Sequence, residues 1–159
     1  MPERLLEPAD FEALAEELLN HGSSFRFQAS GMSMRPFILH GDLVVITPLS
    51  GAPPLKRGTV VLCRLAPNFL VVHRVIRVKV ERGETRLLIQ GDAILHPDGW
   101  IAVGQVLGVA LSVVRGEHPM RLDSRLSQAL AALWLWAEPL RPALLRVGQA
   151  VWQIMKRLH

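Results

Sequence analysis

The chain is 159 residues long and poor in cysteine, in lysine and in long apolar runs. Its one cysteine, Cys63, excludes an intramolecular disulfide, so folding does not depend on an oxidising compartment. The longest uncharged run, Gly99 to Val114, has 16 residues and three glycines. A spanning helix needs about 20 predominantly apolar residues, so no transmembrane segment is expected. Met1 to Leu19 is rich in acids and lacks the basic start and apolar stretch of a secretory signal. The expected location is therefore cytoplasmic, or peripheral to a membrane. No internal repeat and no phosphate-cradling glycine loop is present. His21, His40, His96, His118 and His159 show no paired ligand spacing, so neither a metal nor a cofactor is expected.

Half of the residues are hydrophobic, and the net charge of +4 is unevenly spread. Residues 1–24 sum to −5, residues 25–114 to +5 and residues 115–159 to +4. The basic excess is almost all arginine, 15 against 3 lysines, and it is scattered. Nucleic-acid binders gather their bases into a patch or stripe, so solvated strand faces are expected here and nucleic acid is not a partner.

Three regions follow from the patterning. Residues 1–24 form an acidic amphipathic helix over Asp10 to Asn20, with Phe11, Leu14, Leu18 and Leu19 at helical spacing, Asp10 as N-cap and Gly22 at the stop. Being acidic, the helix is expected to pack on the basic middle region. Residues 25–115 read as strands at Phe25–Ala29, Leu43–Thr47, Thr59–Leu65, Phe69–Val78, Thr85–Gln90 and Ile101–Val114. Ala66-Pro67-Asn68 is the turn between two of them. The predicted class is mainly β with added helices: a small curled antiparallel sheet or barrel. Residues 116–159 form a helical tail, Ser127–Ala137 and Ala143–Leu158, opened at Asp123 or Ser124 and broken at Glu138-Pro139 and Pro142. Trp134, Trp136 and Trp152 with Arg141, Arg146, Lys156 and Arg157 give this tail two readings. It packs on the sheet or a partner subunit, or it makes peripheral membrane contact through residues 124–158.

A serine nucleophile needs a base in reach, a group that orients the base and donors for the oxyanion. In Ser30-Gly31-Met32-Ser33-Met34-Arg35-Pro36, Gly31 permits close approach of a substrate carbonyl and Pro36 stiffens the exit. Arg35 stands where a nucleophile elbow would have glycine. His73 lies inside the apolar strand Phe69 to Ile76, and Asp92 and Asp98 bracket a turn after Gln90-Gly91. Taken singly, each of these residues is more often structural. Cys63, among Val60, Val61, Leu62 and Leu65, reads as buried and inert.

Together, Ser33-Met34-Arg35-Pro36, Gly41-Asp42, His73-Arg74-Val75-Ile76 and Gly91-Asp92 through Asp98 resemble the ordered motifs of type I signal peptidases and the related self-cleaving repressors. The resemblance spans about residues 25–112. Histidine before Arg-Val-Ile is similar to the endoplasmic-reticulum and archaeal branch. That implies Ser33 as nucleophile, His73 as base and Asp98 as its orienting carboxylate, with Asp92 the second candidate. The Ser33 N–H is the implied oxyanion donor, and Gly31, Met32, Met34 and Pro36 form the oxyanion and substrate-binding surround. Histidine ordinarily ionises near ~6.5 and can accept a serine proton at neutral pH. Many signal peptidases have a hydroxyl two residues before the nucleophile; here that position is Gly31. The implied activity is serine endopeptidase cleavage of a peptide or pre-protein with small residues before the cut, bound as an added strand. The alternatives are a non-catalytic peptide-binding or regulatory relative of the same fold and a membrane-peripheral interaction protein. Repressors of this type carry a DNA-binding domain before the peptidase, and residues 1–24 are too few for one.

Overall fold

The computed structural model describes residues 7–140 and, beyond them, 142–144, 146–148, 150 and 153. Helix α1 runs Pro8–Asn20. Eight strands follow: β1 Phe25–Gln28, β2 Leu43–Pro48, β3 Val60–Ala66, β4 Phe69–Glu81, β5 Glu84–Gln90, β6 Gly99–Ala102, β7 Val106–Arg115 and β8 His118–Arg121. Helix α2, Arg125–Trp136, closes the described fold, followed by a short 3-10 turn at Glu138–Leu140. All strand pairs are antiparallel, in the order β1-β2-β7-β3-β4-β5-β6, with β8 also on β7. Among the described residues the end strands β1 and β6 do not pair, so the sheet is open rather than a closed barrel.

The sheet packs an apolar cluster on each side. One contains Ala15, Leu19, Ile38, Val44, Ile46 and Leu62 and receives α1. The other contains Val61, Val75, Leu87, Ile89, Ile101 and Val106. Alternation of side chains along each strand sends odd and even residues to different clusters, as with Val61 and Leu62.

Helix α1 begins earlier than its acids suggest. Pro8 occupies the first turn, where its missing N–H costs nothing, and Glu7 precedes it at the cap; Asp10 lies inside the helix and does not cap it. The helix is also rotated relative to its apolar spacing. Glu12, Ala15 and Leu19 are buried while Leu14 is exposed, because Arg64 on β3 ion-pairs with Glu12 and Glu16 and draws that face inward. At the other end Gly22, at φ +75°, lets its own N–H reach Leu19 O at 3.0 Å and the Ser23 N–H reach Leu18 O at 2.9 Å, which stops the helix.

The run expected as one strand over Ile101–Val114 is two, β6 and β7. The Gln105 side chain interrupts it, accepting from the Ala102 N–H at 3.0 Å and donating to Arg64 O at 3.0 Å. Strand β8 was not expected: His118, Pro119, Met120 and Arg121 are all exposed, with no alternation to reveal them. Asn68, at φ 58°, makes the β3–β4 turn. Ser124 caps α2 by accepting from the Ser127 N–H at 3.1 Å. The second tail helix, expected over Ala143–Leu158, lies largely outside the described residues, as do Arg141, Trp152, Lys156 and Arg157. Among the described residues no helix is long and apolar enough to cross a membrane.

Candidate active site

Two adjacent residues of β4 organise the site. On a strand, neighbours project to opposite faces, so His73 and Arg74 point apart, and each takes one aspartate of the loop 91–98.

The His73 ring is buried, and its Nδ1 lies 2.7 Å from Asp98 Oδ2. A carboxylate only accepts, so this bond puts the ring proton on Nδ1 and leaves Nε2 as the free acceptor. Asp98 is held in turn by its backbone N–H, which donates to Ile89 O at 2.9 Å and closes the loop onto the end of β5. The Asp98 side chain keeps 18% exposure. Behind this pair sits Cys63, fully buried, whose thiol is pushed up to about 12 by desolvation and by the Asp98 charge. It stays protonated and unreactive at neutral pH.

Asp92, the second candidate for orienting His73, has a different partner. Arg74 grips it with two parallel bonds, Nε to Oδ1 at 2.8 Å and Nη2 to Oδ2 at 2.7 Å, and Arg74 Nη1 donates to Gly58 O at 2.8 Å. Both side chains are almost completely buried. Such a pair survives in the interior because its geometry satisfies both charges. Asp92 therefore fixes the loop, and the hydrogen bond of the histidine is made to Asp98 instead.

That loop backs the serine. The Ala93 N–H donates to Ser33 O at 2.7 Å, Gln90 Nε2 donates to Ile94 O at 2.5 Å, and Trp134 Nε1 on α2 donates to Asp92 O at 3.0 Å. Gly91 occupies the narrowest place. A Cβ there would stand 2.7 Å from the backbone carbonyl O of Ser33 and 3.0 Å from His73 Nε2. Both atoms thus border the same small space, and only glycine lets them approach it.

Ser33 is half-buried in the turn after β1. Among the described residues nothing accepts from its backbone N–H, which leaves that group available as a donor. No hydrogen bond joins Ser33 Oγ to His73 Nε2 in this state. The remaining residues of the segment divide. Gly31, Ser33 and Met34 line one groove with His73, whereas Met32 and Pro36 lie outside its lining. Met34 also anchors the turn in the core, and Met32 is exposed.

The groove, about 850 Å³, runs from α1 past β1 to His73. Two unpaired strand edges border it. Among the described residues β1 pairs only with β2, and β5 joins β4 only from Arg74 onward, so Phe69–His73 has no strand on that edge. Its apolar wall includes Phe25 and Phe27, packed edge-on against Phe11.

Four contributors were not singled out in the sequence as site residues: Arg74, Gly91, Gln90 and Trp134. A charge inside the apolar strand Phe69–Ile76 already demands a buried partner, which is the signal that would have found Arg74. Trp134 gives no such sign, since its contact is set by how α2 docks. Among the described residues no cluster of His, Cys, Asp or Glu is arranged to hold a metal ion. Comparison with known families, curated proteins and solved structures found no match for the chain.

Proposed function

We propose that this chain is a serine endopeptidase of the signal-peptidase type, with Ser33 as nucleophile, His73 as general base and Asp98 as the carboxylate that orients it. The observation that carries this reading is the His73 Nδ1–Asp98 bond, which leaves Nε2 as the acceptor in a groove that Ser33 also lines. Ser33 Oγ attacks the scissile carbonyl carbon while its proton passes to His73 Nε2. Asp98 stabilises the imidazolium, and the Ser33 N–H donates to the oxyanion. The C–N bond breaks as the imidazolium returns its proton to the leaving amine. Water then hydrolyses the acyl-enzyme with His73 again as base. The reading requires Ser33 Oγ to reach His73 Nε2 when substrate is bound, and such bonds are often open in unliganded sites.

The substrate reading rests on the two free edges beside the groove. An extended peptide adds there as a strand, its backbone bonding to β1 or to Phe69–His73. A preference for small residues before the cut is carried over from the motif resemblance. The test is cleavage of an unstructured peptide library by purified protein. Ser33→Ala and His73→Ala each remove turnover while keeping the wild-type unfolding midpoint. Retained cleavage by Ser33→Ala contradicts the assignment.

A second reading, a peptide-holding relative without turnover, is favoured by the absent Ser33–His73 hydrogen bond. It predicts peptide binding that Ser33→Ala leaves unchanged, with no cleavage by the unaltered chain.

A further inference from the structure

Beyond its first turn, which carries Arg125, Ser127 and Gln128, helix α2 has no polar residue. Ala131 and Leu135 are buried and Trp134 reaches the loop. Its outer side carries Leu126 at 71% exposure, Leu130, Leu133 at 59% and Trp136 at 77%. Arg125 is the one charged residue of the helix. Leu140, Leu144 and Val147 continue the exposed apolar series beyond it. An exposed apolar series of this size belongs in contact with something other than water.

A second observation says what. A groove of about 690 Å³ lies between α2 and the sheet, with Val60, Ala110 and Leu135 among its apolar lining and the exposed Lys56 and Arg57 also bordering it. Its acid, Asp123, is already engaged by Arg121 at 2.7 and 2.9 Å. Lys56 Nζ makes a 3.4 Å bond to Gln128, and no acid faces Arg57 among the ion pairs of the described residues. Residues 124–159 add five bases, Arg125, Arg141, Arg146, Lys156 and Arg157, against the single acid Glu138. This excess opposes packing against a second copy and favours a negatively charged surface.

We infer that the outer face of α2 docks on an anionic lipid surface, with Leu126, Leu130, Leu133 and Trp136 entering the interface and Lys56 and Arg57 meeting headgroup phosphates. Apolar burial and attraction to anionic lipid reinforce each other in such interfacial helices. Because Trp134 ties α2 to the loop behind Ser33, docking holds the candidate site beside the lipid surface. The docking does not depend on the peptidase reading, and a Ser33→Ala chain binds as the unaltered chain does.

The experiment is flotation of the full chain with vesicles of phosphatidylcholine alone and of phosphatidylcholine with phosphatidylglycerol. Binding is expected on the phosphatidylglycerol vesicles and falls with added salt. Lys56→Gln and Arg57→Gln each lower the partition about fivefold. Leu126→Glu/Leu130→Glu/Leu133→Glu abolishes it at an unchanged unfolding midpoint, and Trp136→Ser, a milder change, weakens it. Absence of flotation on either vesicle overturns the inference. So does undiminished binding of both the triple variant and Trp136→Ser, which assigns binding elsewhere. Equal binding to the two vesicles overturns the role of Lys56 and Arg57. A concentration-dependent dimer that the triple variant dissolves, without flotation, gives the face to a second copy instead.

Discussion

Asp92 and Asp98 sit six positions apart in one loop and serve opposite ends. Asp92 is sealed between two bonds from Arg74 and meets no solvent to speak of. Asp98 stays partly exposed and spends its one side-chain bond on a histidine whose other nitrogen faces the groove. The difference shows how a strand divides labour: adjacent residues point to opposite faces, so one anchors the loop while its neighbour is free for chemistry. The rigid carboxylate–arginine clamp makes the softer carboxylate–histidine pair reproducible in position.

The comparison breaks most sharply at Asp98. Asp98→Asn keeps the shape but reverses the preferred ring tautomer, so turnover falls by about 10⁴-fold while stability changes little. Steady-state cleavage alongside urea unfolding checks both halves. Arg74→Met should do the reverse in kind, leaving a buried unpaired charge and costing about 3–5 kcal/mol of stability, measured by urea unfolding. If Asp98→Asn unfolds the chain and Arg74→Met does not, the division of roles is wrong.

Gly91→Ala probes the point where the two halves meet. The added Cβ would press on Ser33 O, Ile94 Cγ1 at 2.8 Å and His73 Nε2, so about 1–3 kcal/mol of stability and a larger share of activity are lost together. The smallest effect belongs to Asp42, a third carboxylate, gripped by Arg115 at 3.0 and 2.8 Å and by the Leu39 N–H at 2.8 Å. Burial pushes its carboxyl up, but the Arg115 and Leu39 hydrogen bonds and the Arg115 charge outweigh this and hold it below its ordinary 3.8. A lowered folded pKa gives stability that is present above the unfolded value and is lost as pH falls through the folded one. Asp42→Asn therefore costs about 1 kcal/mol at neutral pH and flattens the acid limb of a stability–pH curve. Activity per folded molecule is unchanged.

Much of the sheet was legible because period-two alternation survives in Leu43–Pro48 and because Pro67-Asn68 marks its turn chemically. Local pattern failed where a long-range contact decides. Gln105 splits an apolar run by reaching Arg64, 41 residues away, and Arg64 rotates α1 by pulling on Glu12. Exposed β8 has no buried face to create a pattern. The candidate site divides in the same way. Ser33, His73 and Asp98 could be named from motif order, but the choice between two aspartates depends on which face of β4 each partner occupies. Trp134 was readable only as an apolar helix residue, because its bond to Asp92 O crosses 42 positions.

The most direct measurement is labelling of the full chain at neutral pH with a fluorophosphonate serine probe, read by peptide mass spectrometry. The account predicts one adduct, on Ser33, lost in His73→Ala and strongly slowed in Asp98→Asn. No adduct on Ser33, or one that persists unchanged in His73→Ala, contradicts it.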